Sequence, residues 1–206
     1  ERTPLAEPRT AYGRTKMECD QYVRDLVERG ANIALTYPSA VIGPDDPAMS
    51  EGNQGLAYFF THSFVHTTTG MQFIDVRELA AVHRLLLEQS RIGPYLVTGH
   101  YLPYRPLGAL LDEVTGRKLR KIPVPRQLLR GLGRVVDVIN ARITHLDTPL
   151  TREAVTYATE WVYADDALVR EQLGLAYRPL RETLADTLRW MANAGHIDSK
   201  WSPPVV

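Results

Sequence analysis

A helical pattern from about Thr10 to Arg29 stops at Gly30 and passes at once into the apolar run Ala31-Asn32-Ile33-Ala34-Leu35-Thr36-Tyr37. This junction constrains the fold more than any other feature. The helix is read from Ala11, Met17, Tyr22, Val23, Leu26 and Val27, spaced near 3.6 residues, with Gly30 as the stop. The apolar run breaks on Pro38, Gly43, Pro44, Asp45, Asp46 and Pro47, so it reads as a buried strand entering a loop. A helix joined so directly to a buried strand predicts an α/β fold. The spacing then predicts a helix over Gly52 to His66, a strand over Gly70 to Asp75, a helix over Val76 to Glu88 and a strand over Tyr95 to Thr98. After Gly99 the pattern changes to helices punctuated by Pro and Gly. These are Pro106 to Thr115, Pro125 to about Ile143, and Leu180 to Ala194 with Leu184, Leu188 and Met191 on one stripe, with a short strand over Leu119 to Ile122. The expected division is 1–43 with 71–99 in one unit, which carries the sheet, and 44–70 with 100–206 in a smaller, mostly helical one.

Composition narrows the partners. Lys and Arg number 24 and Asp and Glu 24, so no global field attracts a polyanion, and no nucleic acid is expected. The single cysteine, Cys19, makes an internal disulfide impossible, and a reducing, cytoplasmic setting is the default. Cys19 is expected to be a small packed residue. No apolar run approaches the roughly 20 residues of a membrane span.

The first helix opens Tyr12-Gly13-Arg14-Thr15-Lys16, which sets a phenol and an ammonium four residues apart on one face. A free phenol, with a pKa of roughly 10, is a poor proton shuttle at neutral pH, and a fixed positive charge beside it favours the phenolate. Such a pair can exchange a proton with a carbonyl or alcohol oxygen. Tyr and Lys at this spacing also arise by chance, so the pair alone is a weak signal.

Three further segments, met in a fixed order along the chain, strengthen it. Tyr37-Pro38-Ser39-Ala40-Val41-Ile42-Gly43-Pro44 comes next, then Phe73-Ile74-Asp75-Val76-Arg77-Glu78-Leu79-Ala80, and late in the chain Leu173-Gly174-Leu175 leads to Trp190. In these four segments, which span nearly the whole chain, the sequence resembles the extended short-chain dehydrogenase/reductases, also called the NAD-dependent epimerase/dehydratase family. The resemblance implies the second half of a Rossmann-type parallel sheet with a smaller mixed substrate domain, with NAD or NADP as cofactor. It implies Tyr12 as general acid/base, with Lys16 supporting it and binding the nicotinamide ribose, on a catalytic helix over 10–29. It also implies that Pro38, Ser39, Ala40 and Val41 face the nicotinamide, and that a homodimer forms through helix 10–29.

Family members also resemble other dinucleotide-binding proteins in carrying a Gly-rich turn, where helix N-terminal amides meet the pyrophosphate. No G-x-G-x-x-G is found here, and only Thr3 and Thr10 precede Tyr12 where the family uses an upstream Ser or Thr. The expectation is therefore the C-terminal part of a longer enzyme that is active in full-length form, the 206-residue chain alone binding nicotinamide cofactor weakly and being inactive. A free-standing binding remnant is the alternative. Members acting on nucleotide sugars have an Asn where Ala40 stands and commonly an Arg where Tyr37 stands, which argues against such sugars. The Pro-Ser-Ala-Val loop and the aromatics Tyr58, Phe59 and Phe64 look more like the dihydroflavonol-reductase and hydroxysteroid-dehydrogenase branch, so the small-molecule substrate implied is an apolar ketone or secondary alcohol.

Three further patterns have bland readings. His62 and His66, four apart in the expected helix, lack a third ligand at a metal spacing and are expected to pack, so no metal is expected. Asp45-Asp46 reads as a solvated turn. Arg126, Arg130 and Arg134, with Leu128, Leu132, Val135 and Ile139 elsewhere on the same helix, would suit a membrane-surface helix, but Gly131 and Gly133 weaken that reading. A helix that covers the pocket is the expectation.

Overall fold

The computed structural model describes residues 11–142, 152–160 and 163–204, the side chains of 137–142, 152–154 and 157 excepted. The fold is α/β. In chain order it runs α1 (Ala11–Glu28), β1 (Ala34–Pro38), β2 (Ala40–Ile42), α2 (Glu51–Thr61), β3 (Phe64–His66), β4 (Gly70–Asp75), α3 (Val76–Glu88), β5 (Gly93–Val97) and β6 (His100–Pro103). It continues with α4 (Tyr104–Thr115), β7 (Lys121–Pro123), α5 (Arg126–Arg142), α6 (Arg152–Glu160), α7 (Ala167–Leu173) and α8 (Leu180–Asn193).

Parallel pairs join β1 to β5, β2 to β4 and β3 to β7, and β6 adds antiparallel to the free side of β4. The β1–β5 register sets Pro38 opposite Val97, so both strands end together. This common carboxyl end is where open α/β sheets hold ligands.

Two apolar clusters hold the elements. The larger joins Ile42, Phe64, Phe73, Leu107 and Leu111 to Leu184, Leu188 and Met191 of α8, so the stripe read on α8 is its buried face. The smaller joins Ile74 and Val97 to Val82 and Leu86 of α3 and to Val169 and Leu173 of α7. Each fully buried side chain of this kind contributes about 1.5–3 kcal/mol relative to exposure.

The helix expected over 52–66 ends at Thr61. The stretch Phe64-Val65-His66 alternates buried, half-buried, buried and pairs with 121–123, a period of two that only a strand provides. His62 therefore follows the end of α2 while His66 lies in β3, and the shared helical face does not exist. The loop expected over 38–44 contains β2, whose Val41 and Ile42 pair with Ile74 and Asp75. Cys19 is exposed rather than packed, because α1 has no buried residue. The short strand β6 and the helices α6 and α7 carried no clear periodic signal.

The Phe-Ile-Asp-Val-Arg motif is a structural clasp. Asp75 caps α3 by accepting from Arg77 N at 2.8 Å, and the Arg77 guanidinium bonds both Asp75 oxygens at 2.9 and 2.6 Å and Asp186 at 2.8 Å. Burial pushes the Asp75 carboxyl up, but the Arg77 side chain and amide and the Thr183 hydroxyl outweigh it and hold the group below the usual carboxylate range. A depressed folded pKa means that this stabilisation is complete above the unfolded value of about 3.9 and is lost as pH falls through the folded value. Asp75→Asn is expected to cost about 1.5–3 kcal/mol at pH 7, with the gap to wild type closing below about pH 4, as read by urea unfolding across pH. A gap independent of pH would show that the charge is not what matters.

Candidate active site

Tyr12 lies in the first turn of α1 and is 49% exposed, with the Lys16 ammonium 5.3 Å from its ring centroid. Lys16 makes no ion pair among the described residues, and its ammonium is exposed.

A three-residue clasp on the same helix fixes where the pair lies. Arg24 Nε donates to Asp20 Oδ1 at 2.9 Å, Arg24 Nη2 donates to the Tyr37 hydroxyl at 3.0 Å, and that hydroxyl donates to Asp20. Burial first, and then the bond to Asp20, push the Tyr37 phenol above its ordinary value, and Arg24 opposes them only in part. The phenol therefore stays a neutral donor. The clasp ties the middle of α1 to the penultimate residue of β1. At 1.5 Å per residue, Lys16 lies about 6 Å and Tyr12 about 12 Å further along the helix than Asp20, past the end of the strand. The Tyr12–Lys16 face is thus carried beyond the common carboxyl end of β1 and β5.

The segment after β1 is tightly held at this end. Pro38 is exposed, Ser39 Oγ donates to Thr98 O at 2.7 Å, and Ser39 N donates to Val97 O at 3.4 Å. Ala40 and Val41 enter β2, Ala40 packing on the larger cluster and Val41 on the smaller. The first turn of α2 presses on this strand. A Cβ on Gly52 would sit 2.1 Å from Val41 O, so only glycine allows the approach.

Sequence reasoning missed the residues that fix this end. Buried Asn53 donates to Gly43 O at 2.9 Å and to Asp46 Oδ2 at 3.0 Å, and accepts from Gly43 N at 3.3 Å. Asp46 also accepts from Ser50 N and Oγ, both at 2.7 Å. Burial pushes its carboxyl up, yet these bonds hold it below the usual range. The expected solvated turn therefore applies to exposed Asp45, while Asp46 is an internal acceptor. Buried Asp166 accepts from Thr98 N at 2.9 Å and Gly99 N at 2.8 Å and pairs with Arg170 at 3.1 Å. Gly99 has φ +65° and lies so close to β4 that a Cβ would be 2.1 Å from Phe73 O. Buried Gln72 bonds Ala164 through both ends of its amide, at 2.7 and 3.1 Å. No local pattern marks a polar residue whose partner lies 68 or 92 positions away.

The aromatic residues separate by depth. Tyr58 is half-buried and stacks on His62 at 4.2 Å, and Phe59 is half-buried with its ring 4.6 Å from Phe64. Phe64 is fully buried in the larger cluster behind them. The described residues contain no group of three His, Cys, Asp or Glu able to hold a metal ion, and no helix among them is long and apolar enough to cross a membrane.

No family model matches the chain. Over 195 residues it is 26% identical to sterol demethylase protein B of Methylococcus capsulatus, covering 93% of this chain and 59% of that protein. Over 204 residues it is 24% identical to a Synechocystis protein named "Putative dihydroflavonol 4-reductase", covering 96% of this chain and 59% of that one. In structure it is similar to a nucleoside-diphosphate-sugar epimerase from Pseudomonas aeruginosa, with a TM-score of 0.75 and 21% identity over 96% of this chain and 60% of that one. It is also similar to UDP-glucose 4-epimerase from Bifidobacterium longum in complex with NAD+ and UDP, with a TM-score of 0.64 and 16% identity over 95% and 58% of the two chains. The chain spans about 60% of the length of each of these proteins. At such identities the structures show the shared fold. One of these relatives carries a reductase name and both structural neighbours carry epimerase names, which agrees with the resemblance carried by the four sequence segments.

Proposed function

We propose that this chain carries the proton-transfer half of an NAD(P)-dependent oxidoreductase that moves a hydride between nicotinamide and an apolar ketone or secondary alcohol. The observation that carries this reading is the uncommitted Tyr12–Lys16 face, positioned by the Asp20–Arg24–Tyr37 clasp beyond the carboxyl end of β1 and β5. The donor set fits the nicotinamide end of such a cofactor: an exposed ammonium able to bond the ribose hydroxyls, and an ordered turn, Pro38 to Val41, to flank the ring. The cofactor supplies or accepts the hydride, and no group of the protein needs to.

Within that scheme Tyr12 gives a proton to the carbonyl oxygen during reduction and takes it back during oxidation. Lys16 holds the ribose and places a positive charge beside the phenol. The Ser39–Thr98 and Asn53–Gly43 bonds keep the turn rigid, so that donor, acceptor and acid keep the distances hydride transfer requires. Tyr58 and Phe59 present apolar surface to the substrate, with Phe64 packed behind them. On the proposed division, 1–43 with 71–99 holds the cofactor side and 44–70 with 100–206 the substrate side. NAD+ in the Bifidobacterium enzyme and the reductase name of the Synechocystis relative support the cofactor and the reaction class.

The test is a substrate panel. Steroid, flavonoid-like and aryl ketones are offered to the full-length protein with NADH or NADPH beside UDP-sugars. Turnover of an apolar ketone is the expected result. Turnover confined to UDP-sugars would move the reading to an epimerase or dehydratase, and no turnover with any of them would favour a binding role.

A further inference from the structure

Helix α5 shows three different longitudinal faces. Leu129, Gly133 and Val136 are buried where the helix packs. Arg126, Arg130 and Arg134, at four-residue spacing, form a second row, of which Arg130 bonds Thr159 at 3.2 Å and Glu160 at 2.6 Å on α6. The third row, Leu128, Leu132 and Val135, points outward at 57%, 42% and 57% exposure. A helix that simply covered a pocket would turn its apolar residues inward. This one keeps a second apolar row in water after its packing is satisfied.

The charge of the segment that leads into α5 and runs along it as far as Val136 is one-sided. From Gly116 to Val136 the sequence has seven Lys or Arg and no Asp or Glu, within a chain whose 24 basic and 24 acidic residues cancel. Lys121 pairs with Asp112 and Arg130 with Glu160, and the other five make no ion pair among the described residues. A concentrated cationic segment with an exposed apolar row fits a surface that is both anionic and apolar beneath. A second protein copy fits less well. Three partly exposed side chains offer on the order of 250 Å², several-fold below the ~1,200 Å² of a specific interface, whereas insertion into lipid gains from whatever apolar area is buried.

We propose that α5 is a membrane-surface anchor, with the Leu128, Leu132 and Val135 row seated in the headgroup region of a bilayer containing anionic lipid and the cations of residues 116–136 strengthening the attachment. The helix lies along the surface and does not cross it. This assignment is independent of the hydride-transfer reading and stands or falls without it.

The experiment is flotation of the purified protein with vesicles of phosphatidylcholine alone or with a quarter phosphatidylglycerol, at low and high salt. Wild type is expected to float with the anionic vesicles, several-fold less at high salt and less on phosphatidylcholine alone. The variant carrying Leu128→Ser, Leu132→Ser and Val135→Ser is expected to lose binding about tenfold or more while keeping its thermal unfolding profile. Should that variant misfold, Leu132→Trp serves instead: its emission is expected to shift to the blue on adding anionic vesicles. An unmoved spectrum, absence of wild-type flotation, or equal flotation of the serine variant would overturn the proposal. So would a wild-type dimer that the serines dissociate without any vesicle binding, or binding to a polynucleotide in place of vesicles.

Discussion

In the full-length protein, Tyr12→Phe is expected to lower turnover of an apolar ketone by about 10²- to 10⁴-fold, the usual worth of a positioned acid. The substitution removes one oxygen from a side chain that is half in solvent and belongs to neither apolar cluster, so unfolding should be unchanged. That combination, activity lost with stability kept, separates a proton shuttle from a packing residue. Lys16→Ala should act differently, weakening cofactor binding as well as turnover, because it removes the proposed ribose partner together with the charge. Steady-state kinetics with varied NADH and NADPH distinguish the two. Equal rates for wild type and Tyr12→Phe on the same ketone would rule out the role given to Tyr12.

The second large effect concerns stability. Asp166→Ala is expected to destabilise the protein by about 3–5 kcal/mol, since it strands two backbone N–H groups, those of Thr98 and Gly99, and leaves Arg170 unpaired. Asp166→Asn retains an acceptor oxygen and should lose less. Urea unfolding of both variants beside Arg170→Ala checks the ranking. A cost below about 1 kcal/mol for the alanine would mean that water replaces the carboxylate there.

Much of the framework was legible because it rests on local periodicity. Gly30 ended α1 close to the expected residue, the stretch Val76–Glu88 formed the helix its apolar spacing required, and Leu184, Leu188 and Met191 lined the buried face of α8. The Tyr12–Lys16 pair was legible for the same reason, since four residues on a helix make one face. The errors fall where local pattern is ambiguous. Aromatic residues suit a helix or a strand, and pairing of Phe64–His66 with β7 decided for the strand. Val41 and Ile42 sit among turn formers, and pairing with β4 decided for β2.

The sequence by itself determined the alternation of helix and strand, the shared face of Tyr12 and Lys16 on α1 and the existence of an apolar row on α5, because each depends on spacing within one element. The tertiary structure alone decided which polar groups hold that face and the loops at the strand ends in place. Asp20 and Arg24 reach Tyr37 across a helix-to-strand contact, Asn53 reaches back to Gly43, and Asp166 secures the Thr98–Gly99 turn from 67 and 68 residues away. It also decided that Leu128, Leu132 and Val135 stay exposed while Leu129 and Val136 are covered. The reason is physical: periodicity states which side chains share a face, and only the placement of other elements states what, if anything, removes that face from water.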